Sequence, residues 1–168
     1  ALNLYKKAKT MDSILIKGID CHIGSQITDL KPFEDSVKKL IALIDKLEIE
    51  GINIEHIDIG GGIGISYEDE KAIPFDDYAK AVTTLTKGRD LKILLEPGRV
   101  IMADAGAILT KVEYVKKTQD KNFAIIDAAM NDLMRPSLYG AFHKIVNTSE
   151  TTDKESVFDI VGPICETG

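Results

Sequence analysis

Two periods alternate in the first two-thirds of the chain. Short continuous apolar runs lie at 14–20, 52–59 and 91–95, the length and character of buried strands. Between the first two, Phe33, Val37, Leu40, Ile41, Ile44 and Leu47 fall on one helical face. Pro32 suits the first turn of that helix, and Thr28 or Asp29 is available as its cap. A second helix is expected from near Asp76, carrying Tyr78, Ala79, Val82 and Leu85 and stopping at Gly88. Strand, helix, strand, helix, strand predicts a parallel sheet with helices outside it.

The pattern changes near residue 105. Ile108, Thr110, Val112 and Tyr114 alternate with Leu109, Lys111, Glu113 and Val115, and further strand-like runs lie at 123–127 and 157–161. No long helix is expected between them, and 140–156 reads as a polar loop. The expected division is therefore an α/β part, 1–105, and the start of a β-rich part, 106–168. At the N-terminus, Ala1, Leu4, Tyr5, Ala8 and Met11 recur at helical spacing, with no initiator Met, cap or signal peptide ahead of them. The chain thus reads as an internal piece of a longer protein, without repeats or low-complexity tracts.

Composition narrows the function classes. Of 168 residues, 44% are hydrophobic and 29% charged, and the formal net charge is −6, ordinary values for a globular chain. An acidic chain with no Trp has neither the basic footprint nor the stacking platforms of a general nucleic-acid binder. No uncharged apolar run approaches the ~18 residues of a membrane span. Cys21 and Cys165 make neither a disulfide framework nor a paired zinc-ligand spacing, and no metal site is expected. A reducing, cytoplasmic setting follows from that cysteine usage.

Each parallel strand ends in unusual chemistry. The first runs into Cys21-His22-Ile23-Gly24-Ser25-Gln26, the second into Gly60-Gly61-Gly62-Ile63-Gly64, the third into Glu96-Pro97-Gly98-Arg99. Sites in α/β sheets and barrels lie at the carboxyl ends of strands, so three such ends suggest one shared site. Each alone has a plainer reading. A glycine run is a tight turn as readily as a phosphate cradle, and this one lacks the third glycine of a dinucleotide fingerprint. His22 alone reads as a hydrogen-bonded structural histidine, Glu96 as a loop carboxylate with Arg99 as its surface partner, and Cys165 as a small buried hydrophobe.

Taken in order, HIGSQ, DIGGGIG, EPGR, MRPSLYGAFH and GPICETG resemble the fold-type III pyridoxal-phosphate decarboxylases, over about residues 14–168. The resemblance implies the C-terminal part of a (β/α)8 barrel followed by part of a β-rich domain. A whole barrel needs ~250 residues, so only its last three strands would lie here. It also implies pyridoxal 5'-phosphate as cofactor. Gly60, Gly61, Gly62, Gly98 and Ser25 would surround the phosphate, offering backbone N–H groups with little side chain in the way. His22 would stack on the ring. Glu96 would keep the pyridine nitrogen protonated so that the ring accepts electrons from a carbanion. Arg99 would contact cofactor and substrate.

The implied reaction is decarboxylation of meso-2,6-diaminopimelate to L-lysine and CO2. That substrate keeps a carboxylate at its non-reacting end, which suits an arginine fork, and Arg135 therefore favours it over ornithine. Arg99, Arg135, Tyr139 and Glu166 would contact substrate, and Cys165 would deliver a proton. Thr167 stands where the family often has serine. Cys165 and Glu166 enter the partner's site in this family, implying a homodimer with shared active sites. The lysine that holds the cofactor covalently is expected before Ala1, and no lysine here occupies its motif. Other basic amino-acid decarboxylases of this fold, or a non-catalytic homologue, are the alternatives; Gln26, Arg135 and Tyr139 weigh against the first, and Glu96, Cys165 and the glycines 60–62 against the second. His56, His143 and Cys21 are expected to be structural.

Overall fold

The computed structural model of the chain describes residues 1–149 and 156–165. The chain divides into two compact units, Ala1–Gly106 and Ala107–Gly168.

In the first unit, three strands, β1 (Gly18–Asp20), β2 (His56–Asp58) and β3 (Lys92–Leu94), form a parallel sheet in that order. Gly18 pairs with His56 and His56 with Lys92, so the three carboxyl ends align. Helices α1 (Leu2–Lys9), α2 (Lys31–Ile49), α3 (Phe75–Thr86) and the single turn α4 (Arg99–Met102) complete the unit. Helix α2 has Leu30 at its N-cap position, with no side-chain cap bond, and not the expected Thr28 or Asp29. The Lys31 amide donates to the Asp29 carboxylate at 3.0 Å, and Pro32 sits in the first turn, where its missing N–H costs nothing.

The apolar face of α2 is buried through Phe33, Val37, Leu40, Ile44 and Leu47. Its C-terminal half packs with Ile19, Ile52, Ile54 and Ile57 into one cluster. Phe33 and Val37 meet Ile59, Ile73, Tyr78 and Val82 in a second cluster, joining α3 to the end of β2. The paired strands are shorter than the apolar runs predict. Ile52 and Ile54 are buried but lie outside any ladder, while Ile14 and Leu15 are exposed. The hydrophobicity of Ile52 and Ile54 reports side-chain packing beneath α2, not strand pairing, and the two cannot be separated by periodicity alone.

In the second unit, β4 (Val112–Lys117) pairs antiparallel with β5 (Asn122–Ile126), and β5 pairs parallel with β6 (Asp159–Val161). The ladder slips between Val112 and Tyr114, so the alternating stretch from Ile108 joins the sheet only at Val112. One short helix, α5 (Arg135–Tyr139), closes on Gly140 in the left-handed conformation at φ +58°. No helix of the described residues is long and apolar enough to cross a membrane.

Candidate cofactor-binding site

The three strand ends of the first unit continue to zip together beyond the ladders. The Cys21 amide donates to the Asp58 carbonyl at 3.1 Å, the Ile59 amide to the Leu94 carbonyl at 3.1 Å, and the Glu96 amide to the Gly60 carbonyl at 2.9 Å. The Ile27 amide reaches the Gly62 carbonyl at 2.9 Å. His22, Gly60–Gly62 and Glu96 are thereby brought to one end of one sheet.

Close approach explains the glycines. A Cβ at Gly61 would overlap the carbonyl oxygen of Glu96, and one at Gly62 would overlap that of Gly24. Gly60 and Gly62 also hold φ of +70° and +100°, where side chains are rarely tolerated. Two of the three amides expected to serve a phosphate are already donated. The Gly60 amide goes to the Asp58 carboxylate at 2.9 Å, and the Gly61 amide to His22 Nδ1 at 3.2 Å. Only the Gly62 amide of the three has no acceptor among the described residues. Gly60 and Gly61 also bring two chain segments close and fix the His22 side chain.

His22 is exposed, and the bond into Nδ1 sets its ring orientation, leaving Nε2 to carry the proton of the neutral ring. Ser25 is exposed in the same loop. Glu96 is exposed, and the plain reading of it as a partner of Arg99 does not hold: among the described residues no ion pair joins Arg99 to a carboxylate. Arg99 Nη1 donates instead to Gln26 Oε1 at 3.0 Å, and its guanidinium lies 5.9 Å from the centre of the Tyr67 ring. Glu96 stands with Asp20 and Asp58, one oxygen of each carboxylate lying within 4.8 Å of the others. The sequence reading overlooked Asp20 and Asp58. Their signal was available, since each lies at or next to the end of an apolar run that leads into a loop carrying chemistry.

Within the second unit, Arg135 and Tyr139 open and close α5, four residues apart and therefore on one face. Arg135 is half-buried and Tyr139 exposed. Cys165 is a free thiol and exposed, which corrects its reading as a small buried hydrophobe. Glu166 and Thr167 lie outside the described residues. His56 and Cys21 have packing roles. The His56 ring fills the space where Gly18 lacks a side chain, and the Ser36 hydroxyl donates to Cys21 Sγ at 3.6 Å.

The site combines a planar histidine ring, a concentration of carboxylates, the free Gly62 amide and an arginine without a charged partner among the described residues. That set fits a planar, partly cationic heterocycle bearing an anionic group. The carboxylates favour a protonated ring nitrogen, and Arg99 with the Gly62 amide suits the anion.

Comparison with known proteins agrees. The family described as pyridoxal-dependent decarboxylase, pyridoxal binding domain, matches residues 1–103. Diaminopimelate decarboxylase of Vibrio cholerae is 50% identical over 168 residues, covering 99% of this chain and 40% of the relative. That of Neisseria meningitidis serogroup A is also 50% identical, covering 100% and 41%. The chain therefore spans about two-fifths of the length of these relatives. Among solved structures, Helicobacter pylori diaminopimelate decarboxylase complexed with L-lysine superposes with a TM-score of 0.90 at 42% identity, covering 99% of this chain and 41% of that one. A Vibrio vulnificus lysine/ornithine decarboxylase complexed with cadaverine reaches a TM-score of 0.85 at 20% identity, covering 99% and 45%, and shares the fold.

Proposed function

The chain belongs to the pyridoxal-dependent decarboxylases, and on that premise we propose that the whole protein converts meso-2,6-diaminopimelate to L-lysine and CO2. The observation that carries the proposal is 50% identity to a diaminopimelate decarboxylase across essentially the full chain. It is supported by the gathering of His22, Gly60–Gly62 and Glu96 at one sheet end. The (β/α)8 barrel of these decarboxylases supplies the frame, and this chain contributes three of its strands and the start of the β-rich domain.

Pyridoxal 5'-phosphate, when bound, supplies the electron sink for the pair left behind as CO2 departs. The chain's own residues have separate tasks. Glu96, backed by Asp20 and Asp58, holds a proton on the pyridine nitrogen. His22, fixed through Nδ1, offers its ring face to the cofactor. Gly60, Gly61, Gly62, Gly98 and Ser25 surround the phosphate, and Arg99 contacts cofactor and substrate. Arg135 binds the distal carboxylate with a bidentate fork, and Tyr139, one turn along the same face of α5, contacts substrate beside it. Glu166 joins them in substrate binding. Cys165 delivers the proton that replaces CO2, and its exposure suits a group that works in the site of a partner subunit. The working unit is a homodimer with shared active sites, in the cytoplasm.

The test is CO2 release by the full-length protein with meso-diaminopimelate, L-ornithine and L-lysine offered separately. Turnover of meso-diaminopimelate alone is expected. Arg135→Ala should lower kcat/KM by ~2–5 kcal/mol equivalent and leave cofactor affinity unchanged. Preference for L-ornithine would overturn the substrate assignment. Equal loss of cofactor affinity in Arg135→Ala would remove Arg135 from the substrate site.

A further inference from the structure

Gln26 is the one residue other than glycine with positive φ among the described residues, at φ +59°. Side chains other than Gly, Asn and Asp seldom adopt that conformation, and such outliers persist where surrounding contacts over-determine them. Here the contacts come from the side chain itself. Gln26 Nε2 donates to the Ile65 carbonyl at 2.6 Å, and the Ile65 amide donates back to Oε1 at 3.3 Å. The amide group is thus clamped to the backbone of the neighbouring loop like one rung of a ladder. That clamp leaves no freedom to flip, so Oε1, not Nε2, faces Arg99 and accepts from Nη1 at 3.0 Å.

We propose that Gln26 is a positioning residue: clamped to Ile65, it orients the Arg99 guanidinium toward an anionic group of the ligand while leaving the arginine charge uncancelled. This rests on the reading that Arg99 contacts cofactor or substrate. A carboxylate at this place would hold the arginine as well but would neutralise it. A neutral amide oxygen fixes one of five N–H donors and leaves the full positive charge and the remaining donors for a ligand. Tyr67, whose ring centre lies 5.9 Å from the guanidinium carbon, adds a further contact to the same group. The ligand group is a phosphate or carboxylate, the two anions that a guanidinium fork recognises.

The experiment uses the full-length protein and the variants Gln26→Gly, Gln26→Glu, Arg99→Ala and Gln26→Gly/Arg99→Ala. Glycine removes the side chain while suiting the left-handed backbone, so it separates positioning from folding. Two affinities are read: the Kd of the apoprotein for pyridoxal phosphate by absorbance titration, and KM against kcat for meso-diaminopimelate. Gln26→Gly should weaken one of them about tenfold, the scale of a hydrogen bond to a charged group. The affected arm identifies the anion as phosphate or carboxylate. Gln26→Glu should weaken the same arm by cancelling charge. In the Arg99→Ala background, Gln26→Gly should add little. Unchanged affinities in Gln26→Gly, or an equal further loss in the Arg99→Ala background, would overturn the proposal. Absence of decarboxylation by the unaltered protein would instead defeat the functional reading, and the pyridoxal phosphate titration would still test the Gln26–Arg99 coupling.

Discussion

Among the described residues, every buried apolar side chain except Ala124 belongs to the unit ending at Gly106. There, two clusters join α2 and α3 to the parallel sheet. In the unit that follows, β4 is left uncovered by the rest of this chain along its whole length, as are Leu109, Ile145, Val146 and Val157. The difference bears on how each set of proposed ligand residues is held. His22, Gly62, Glu96 and Arg99 lie on loops stitched by backbone bonds above a packed core. Arg135, Tyr139 and Cys165 lie on short or irregular segments whose order within this unit rests on polar contacts and a small sheet. One region packs its apolar residues against one another, and the other leaves most of its apolar residues uncovered within this chain.

The largest expected effect tests that contrast directly. Phe33 is 1% exposed and meets Tyr78 edge-on at 5.1 Å. Phe33→Ala in the full-length protein should cost ~3–5 kcal/mol of stability, the usual price of an aromatic cavity. Tyr114→Ala, on a β4 residue 62% exposed, should cost less than ~1 kcal/mol. Denaturant midpoints at constant m-value give both numbers. Equal losses would break the comparison, because they would mean that β4 is covered as completely in the whole protein as the α2 face is here.

A smaller effect separates two glycines of the strand-end loops. Gly61 lies against the Glu96 carbonyl, whereas a Cβ at Gly98 would meet nothing within 4 Å. Gly61→Ala should cost ~1–3 kcal/mol by overpacking. Gly98→Ala should cost less than Gly61→Ala, since nothing lies where its Cβ would go. Thermal unfolding of the two variants side by side is sufficient. A tolerated Gly61→Ala would show that the three loops are not held as tightly as their carbonyl contacts imply.

Much of the first unit could be read from periodicity, because α2 and α3 bury one clean face each and the strands between them are apolar on both sides. The strand ends were equally legible as places, since glycines and charged groups interrupt apolar runs there. Roles within the site were harder to read. Nothing in the order Gly60-Gly61-Gly62 says that two of the amides are taken by Asp58 and His22, because those partners lie on another loop or turn back locally. Arg99 follows Glu96 by three residues, and the short spacing suggested a pair. The chain turns into α4 between them, and the guanidinium meets Gln26, 73 residues away in sequence. In the second unit, the alternating stretch 108–115 promised a longer strand than exists. Alternation shows that a segment can lie on a sheet but not where its ladder starts.

The smallest effect concerns two exposed carboxylates, one in each unit. The Thr110 hydroxyl donates to Asp127 at 2.5 Å, and with the Lys111 amide at 2.9 Å it holds the Asp127 carboxyl below its ordinary range. On α2, the hydrogen bond and charge of Lys31 hold Asp35 below its range likewise. Both are depressed carboxylates, so each stabilises the fold fully above the unfolded carboxylate pKa of about 4. Each contribution is lost as pH falls from there through the lower folded value. Asp127→Asn and Asp35→Asn should therefore be less stable than the unaltered protein at pH 6, by a margin that shrinks on acidification to pH 3. Salt should distinguish them. The main donor to Asp35 is a cation in solvent, which ~0.5 M salt screens, whereas the main donors to Asp127 are a hydroxyl and a backbone amide. The pH 6 margin should fall with salt for Asp35→Asn and persist for Asp127→Asn, measured as differences in denaturant midpoint. Equal salt sensitivity would mean that Lys111, which also faces Asp127, holds that carboxylate by charge, and the second unit's strand-edge clip would then be ionic like the helix pair of the first.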